Sequence, residues 1–187
     1  ALAARAAAQE PPKADADAPI AQPMTLAEVQ AWTGKHPRLF FGPDDVAALR
    51  SRRLKPPYDA IFKTLLDRAD RHLAIDAKRV GDAAYRGRDQ MSHILQRLAL
   101  AALVTDDAKY ARKAVELMLA LADRGFPFHG SHEDGAADLL VGLAIAYDWT
   151  YPAMTADERA KLRQALKTFG SSLSTLMSAG GGAYGVM

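Results

Sequence analysis

Residues 89 to 126 read DQMSHILQRLALAALVTDDAKYARKAVELMLALADRGF. Their apolar positions leave this stretch little choice but a helical hairpin. Ile94, Leu95, Leu98 and Ala102 recur at i, i+1, i+4 and i+8, a stripe along one face of a helix and incompatible with strand alternation. TDD then supplies a turn and a cap. A second stripe follows at Tyr110, Ala114, Leu117, Met118 and Leu121, and Gly125 is placed to end that helix.

The plan repeats in HEDGAADLLVGLAIAYDWTYPAMTADERAKLRQALKTF. From Leu139 to Tyr147 it is apolar nearly all round, which predicts an inner helix covered on most sides. Pro152 breaks the chain after the aromatic cluster. Thr155 and Glu158 have capping-box spacing, with Asp157 and Glu158 in the first turn of the next helix. YDWTYPAMTADER is therefore a helix-corner-helix joint. The two hairpins lie roughly 45 to 50 residues apart, a spacing expected of helical-pair arrays.

Three shorter helices lead in. TLAEVQAWTG carries a capping box at Thr25 and Glu28 and a stop at Gly34. HPRLFFGPDDVAALRSR puts Pro43 at a first helical position, with Asp44 and Asp45 in the first turn. PPYDAIFKTLLDRADRHL begins a third, with Ile61, Leu65 and Phe62 facing inward. No convincing strand pattern occurs. The expected fold is all-α: stacked helical hairpins, with a linker over residues 1–24 and the helical domain over 25–187.

Composition narrows the function classes. Without cysteine, disulfide scaffolds, thiol nucleophiles and cysteine-based zinc sites are excluded. Lys and Arg number 24 against 22 Asp and Glu, and no basic block stands apart, so a nucleic-acid partner is not expected. No apolar run approaches the roughly 20 residues that span a bilayer. ALAARAAAQ resembles the end of a secretory signal peptide, which predicts a periplasmic or secreted protein. PPKADADAP reads as a flexible linker. At the other end, LSTLMSAGGGAYGVM runs from a helix into a glycine-rich loop with no capping helix, as in a truncated domain.

Few residues offer chemistry. His129 and His132 sit with Glu133 and Asp134 in FPFHGSHEDG, between the hairpins; they either touch a ligand or cap and solvate the next helix. Their spacing lacks the H-E-x-x-H arrangement, so neither a metal nor any other cofactor is expected. Arg86 and Arg88 precede an apolar helix, with His93 and Arg97 along it. Arginine forks there would take a carboxylate or sulfate, or would pair with Asp82 and Asp89. Tyr147, Trp149 and Tyr151 either stack a sugar ring or fill an interface. Neither a Ser-His-Asp set nor a carboxylate pair can be assembled from the sequence, and the oligomeric state is not legible.

The order HPRLFFGPDDVAALRSR, RLALAALVTDDAKYARKAVELMLAL, DLLVGLAIAYDWTYPAMTADERAKLRQAL resembles the N-terminal helical domain of the heparinase II/III-like and oligoalginate polysaccharide lyases, over roughly residues 36 to 170. The resemblance implies an incomplete (α/α) toroid, an acidic polysaccharide partner, and β-elimination at uronic-acid residues. In that chemistry amide, His or Arg groups neutralise the uronate carboxylate, and Tyr or His moves the C5 proton. The chain contains no Asn, so an Asn-His neutraliser cannot be located, and Tyr184 is the one aromatic candidate in the terminal loop. Catalytic residues stay unassigned. Arg88, His129, His132 and Trp149 are expected on the groove wall. The alternatives are a non-catalytic helical-repeat module binding carbohydrate or protein, and an (α/α)-barrel glycoside hydrolase using Glu133, Asp134 and Asp138.

Overall fold

A computed structural model of the chain describes Ala27 and residues 34–80, 90–125 and 133–179. The described residues from Gly34 onward belong to one compact unit, treated by itself below. It is all-α. Six helices follow in order: α1 (Asp45–Arg52), α2 (Tyr58–His72), α3 (Met91–Thr105), α4 (Ala108–Arg124), α5 (Glu133–Thr150) and α6 (Ala156–Ala179). Short 3-10 turns occupy Ala77–Arg79 and Tyr151–Ala153. There is no strand among the described residues, and no described helix is long and apolar enough to cross a membrane.

The centre is α3, which packs against α1, α2, α4 and α5, while α6 lies against α4 and α5. Ile94, Leu95 and Leu98 of α3 meet Tyr110, Ala114, Leu117, Met118 and Leu121 of α4 in one core, joined by Leu143 and Ala146 of α5. Ala102 is half-buried against that core. One small residue sets how closely α3 and α5 approach. A Cβ at Gly142 would fall 2.6 Å from Ser92 Cα and 2.7 Å from its Oγ, so only glycine fits this crossing.

The turn between α3 and α4 shows why TDD ends one helix and starts another. Asp106 takes the left-handed conformation (φ 62°) and its N–H donates to Ala102 O at 2.9 Å. Asp107 then caps α4, its Oδ1 accepting from Lys109 N at 3.0 Å. Arg50 of α1 reaches over this joint: Nε donates to Leu103 O at 2.7 Å and Nη2 to Asp106 Oδ1 at 2.6 Å. A cation is thereby set on a carbonyl at a negative helix end, where it is favourable. On the other side, Tyr110 donates its hydroxyl to Asp70 Oδ1 at 2.8 Å and ties α4 to α2.

Two expectations are corrected here. Ile61 does not face inward; it is 63% exposed. The packed stripe is set by Leu66 and Ala69 of α2 and by Leu73 just past its end. Eight residues before Ala69, Ile61 lies about 80° round the helix from it, while Phe62 and Leu65 are half-buried. Pro43 does not open α1 either. It sits in the preceding turn, its carbonyl accepting Val46 N at 3.3 Å, and the helix begins at Asp45. Ala27 is helical, and the rest of the helix expected over 25–33, the 24/25 boundary and the glycine-rich terminus lie outside the described residues.

Candidate functional site

The last turn of α5 carries Tyr147, Asp148 and Trp149, and the 3-10 turn that follows carries Tyr151. A carboxylate at a helix C-terminus faces the negative end of the dipole and needs donors to be tolerated there. Asp148, 3% exposed, finds them in residues 36–39. Arg38 N donates to Oδ2 at 2.7 Å, and Leu39 N donates to the same oxygen at 2.9 Å. His36 Nδ1 stands 2.6 Å from Oδ1, and Arg38 Nε is 3.8 Å from it. Because a carboxylate only accepts, Nδ1 carries the hydrogen.

Aromatic contacts complete the attachment. The His36 ring stacks on Tyr151 with centroids 3.7 Å apart and 12° between planes, and meets Tyr147 edge-on at 6.4 Å. Trp149 donates Nε1–H to Leu39 O at 3.1 Å and stacks on Phe41 at 5.1 Å. From α6, the Arg159 guanidinium lies over the Tyr151 ring at 4.2 Å, and its Nε donates to Tyr151 O at 3.2 Å. Arg163 of α6 is set beside Tyr147, and its interaction with that hydroxyl raises the pKa of the arginine. HPRLFF is thus a strap, latched onto the YDW corner more than a hundred residues away in the chain.

Phe40 stands apart within the strap. Its φ is 68°, a left-handed conformation that costs a side chain with a Cβ about 1–2 kcal/mol. The residue is 82% exposed, and its ring meets Trp149 only as an edge-to-face neighbour, centroids 6.4 Å apart and planes at 70°.

The corner is also braced from below. Thr155 and Glu158 form the expected capping box, with Thr155 N donating to Glu158 Oε2 at 2.8 Å and Glu158 N to Thr155 Oγ1 at 3.2 Å. Arg112 of α4 adds a bidentate pair to the same carboxylate at 2.7 and 3.0 Å, and bonds Ala153 O at 2.9 Å. Hydrogen bonds from Arg112, then from the Thr155 backbone, hold the Glu158 carboxyl down at about 2.

An imidazole whose Nδ1–H is held by a carboxylate is the arrangement found in general bases. Here the His36 side chain is only 6% exposed and one ring face is covered by Tyr151, so its evident work is to fasten the strap. The crevice beside Tyr147, between Met118, Leu143, Leu162 and Phe169, is apolar and offers no polar group except that tyrosine. Among the described residues no three His, Asp or Glu side chains gather as metal ligands.

Of the residues singled out in the sequence, Trp149 is brought into this corner. Arg88, His129 and His132 lie outside the described residues, as do Arg86, Tyr184 and the side chains of Glu133 and Asp134. Sequence reasoning passed over His36, Arg38 and Asp148. The available signal was Asp148 itself, the one acid in the apolar run from Leu139 to Trp149 that ends the helix. Comparison of the chain with family models and with curated proteins returns no match.

Proposed function

We propose that this chain forms part of the (α/α) toroid of an exported polysaccharide lyase that cleaves a uronic-acid polymer by β-elimination. One observation carries the reading: the separated segments behind the family resemblance are joined in space. HPRLFF is held by Asp148 and Trp149 of the YDW segment, and the ADER segment that follows is tied through Glu158 to Arg112 in the intervening hairpin. A motif order built around one packed corner is a stronger likeness than three independent helical segments would be.

In this reading Arg88, His129 and His132 serve the substrate carboxylate. Arg88 precedes α3 and the two histidines precede α5, so chain order sets them ahead of helix N-termini, where an anion is favoured. Neutralising the carboxylate acidifies the C5 proton, the largest demand of the reaction. A tyrosine or histidine then moves that proton.

The test is to express the full reading frame that contains these residues and incubate the protein with alginate and with glycosaminoglycans. Ultraviolet absorbance of an unsaturated uronate end is the expected product signal. New reducing ends without that absorbance would replace the lyase by a hydrolase. Binding without any product would leave a carbohydrate-binding helical module, which the structural employment of His36, Tyr147 and Tyr151 independently favours.

A further inference from the structure

We infer that Phe40 and Arg38 form a surface subsite for a single acidic sugar ring; the inference rests on the acidic-polysaccharide reading above. The backbone at Phe40 is held in a left-handed conformation natural to glycine, and the residue is 82% exposed. Strained residues persist only where their surroundings over-determine them, and they collect at ligand clamps. The surroundings here do so: Asp148 holds the amides of the two preceding residues, and Trp149 holds Leu39 O and the Phe41 ring.

Size decides what the ring can receive. A stable protein interface needs about 800 Å² from each partner. The other strongly exposed large apolar residues among those described, Leu54, Tyr58, Ile61 and Val141, sit in or beside α1, α2 and α5, and only Leu39 borders Phe40 in the strap. One phenyl ring beside an indole edge falls well short of a protein interface but matches the face of one pyranose. Charge selects the kind of sugar. The Arg38 side chain is 41% exposed, and the carboxylate beside it, Asp148, is already occupied by His36 and two backbone amides. Its Nε makes only a long ion pair with Asp148 Oδ1, at 3.8 Å, and the exposed part of the guanidinium can turn to a carboxylate or sulfate on the stacked ring. Past the strap, Asp45 at the start of α1 is engaged locally, accepting from Gly42 N at 2.8 Å.

The experiment is affinity electrophoresis of the full protein through gels containing alginate, a sulfated glycosaminoglycan or a neutral glucan. Variants are Phe40→Gly, Arg38→Gln and, as a control for net charge, Lys167→Gln on α6. Phe40→Gly suits the local backbone, so it should fold with an unchanged or raised melting temperature. Its dissociation constant for the acidic polymer should rise about tenfold, the scale of one aromatic stacking contact. Arg38→Gln should weaken retention by the acidic polymers, and Lys167→Gln should not. Failure of the unaltered protein to bind either acidic polymer would overturn the acidic-polysaccharide reading and this inference together. Binding that survives Phe40→Gly unchanged, or that falls equally in Lys167→Gln and Arg38→Gln, would overturn the subsite alone.

Discussion

Removing the Asp148 carboxylate should release the strap, and the size of the loss can be worked from its bonds. Three donors converge on it at 2.6, 2.7 and 2.9 Å: His36 Nδ1, Arg38 N and Leu39 N. In Asp148→Ala each would be left without an acceptor, at about 1–3 kcal/mol apiece if it stayed buried. The sum, about 3–9 kcal/mol, exceeds what a short strap gains by docking, so the strap should detach and hydrate instead. The realised loss is then near the low end of that sum, about 3–4 kcal/mol. Asp148→Asn keeps one carbonyl for the two backbone amides and turns its NH2 toward His36, which can accept by changing tautomer. That variant should lose only about 1 kcal/mol, the difference between charged and neutral hydrogen bonds. Urea titration reads this directly. With a slope of about 2 kcal/mol per M, the alanine variant should shift the midpoint by roughly 2 M and the asparagine variant by about 0.5 M. Hydrogen exchange at the Arg38 and Leu39 amides should rise sharply in the alanine variant while α3 and α4 stay protected. An alanine midpoint within 0.3 M of the unaltered protein, about 0.6 kcal/mol on that slope, would refute the latch.

Glu158 gives a pH test. Its carboxyl is lowered from the usual 4.5 to about 2, so its contribution is fully present above the unfolded value and is lost as the pH falls from about 4.5 toward 2. Glu158→Gln should remove part of the decline in urea midpoint across that window and change nothing in the slope above pH 5. Gly142→Ala should lower the melting temperature strongly, because its Cβ would meet Ser92 backbone at 2.6 Å and force α3 from α5 at about 1–3 kcal/mol or more. Gly170→Ala in α6 meets only Leu140 Cδ2 at 4.0 Å and should stabilise by about 0.5–1 kcal/mol. Equal melting shifts for the two glycines would refute the close crossing. Leu117→Ala, at a side chain with no exposure in α4, should cost about 2–5 kcal/mol in the same titration.

What the sequence made legible was local. Helix phase in α3 and α4, the TDD turn and the Thr155–Glu158 box all depend on residues within a few positions of one another, and periodicity and capping chemistry read them directly. Ile61 was misplaced because α2 has apolar residues on more than one side, and its inward stripe is chosen by α3 rather than by α2. Gly142 sat unnoticed in an apolar run, since a glycine there is explained only by the serine of another helix. The strap was invisible for the same reason on a larger scale: His36 and Asp148 are 112 residues apart. Arg112 likewise gives no hint, within its own helix, that it will clamp the carboxylate of a capping box in α6. Of the groove residues named from chain order, only Trp149 falls among the described residues.

The corner also changes how aromatic residues in a motif should be weighed. Tyr147, Trp149 and Tyr151 cluster in sequence, which invites a sugar-binding reading. Yet each is engaged by a neighbour: Tyr147 by Arg163, Tyr151 by His36 and Arg159, Trp149 by Leu39 and Phe41. The aromatic left open is Phe40, which belongs to the other segment and shows no helical or strand periodicity. A helix end can place rings densely only by packing them against something, so ring density at such a corner reports scaffold. An aromatic held at positive φ on the strap has no packing reason to be there. Such a residue is where binding chemistry should be sought, because the fold would be more stable with glycine in its place.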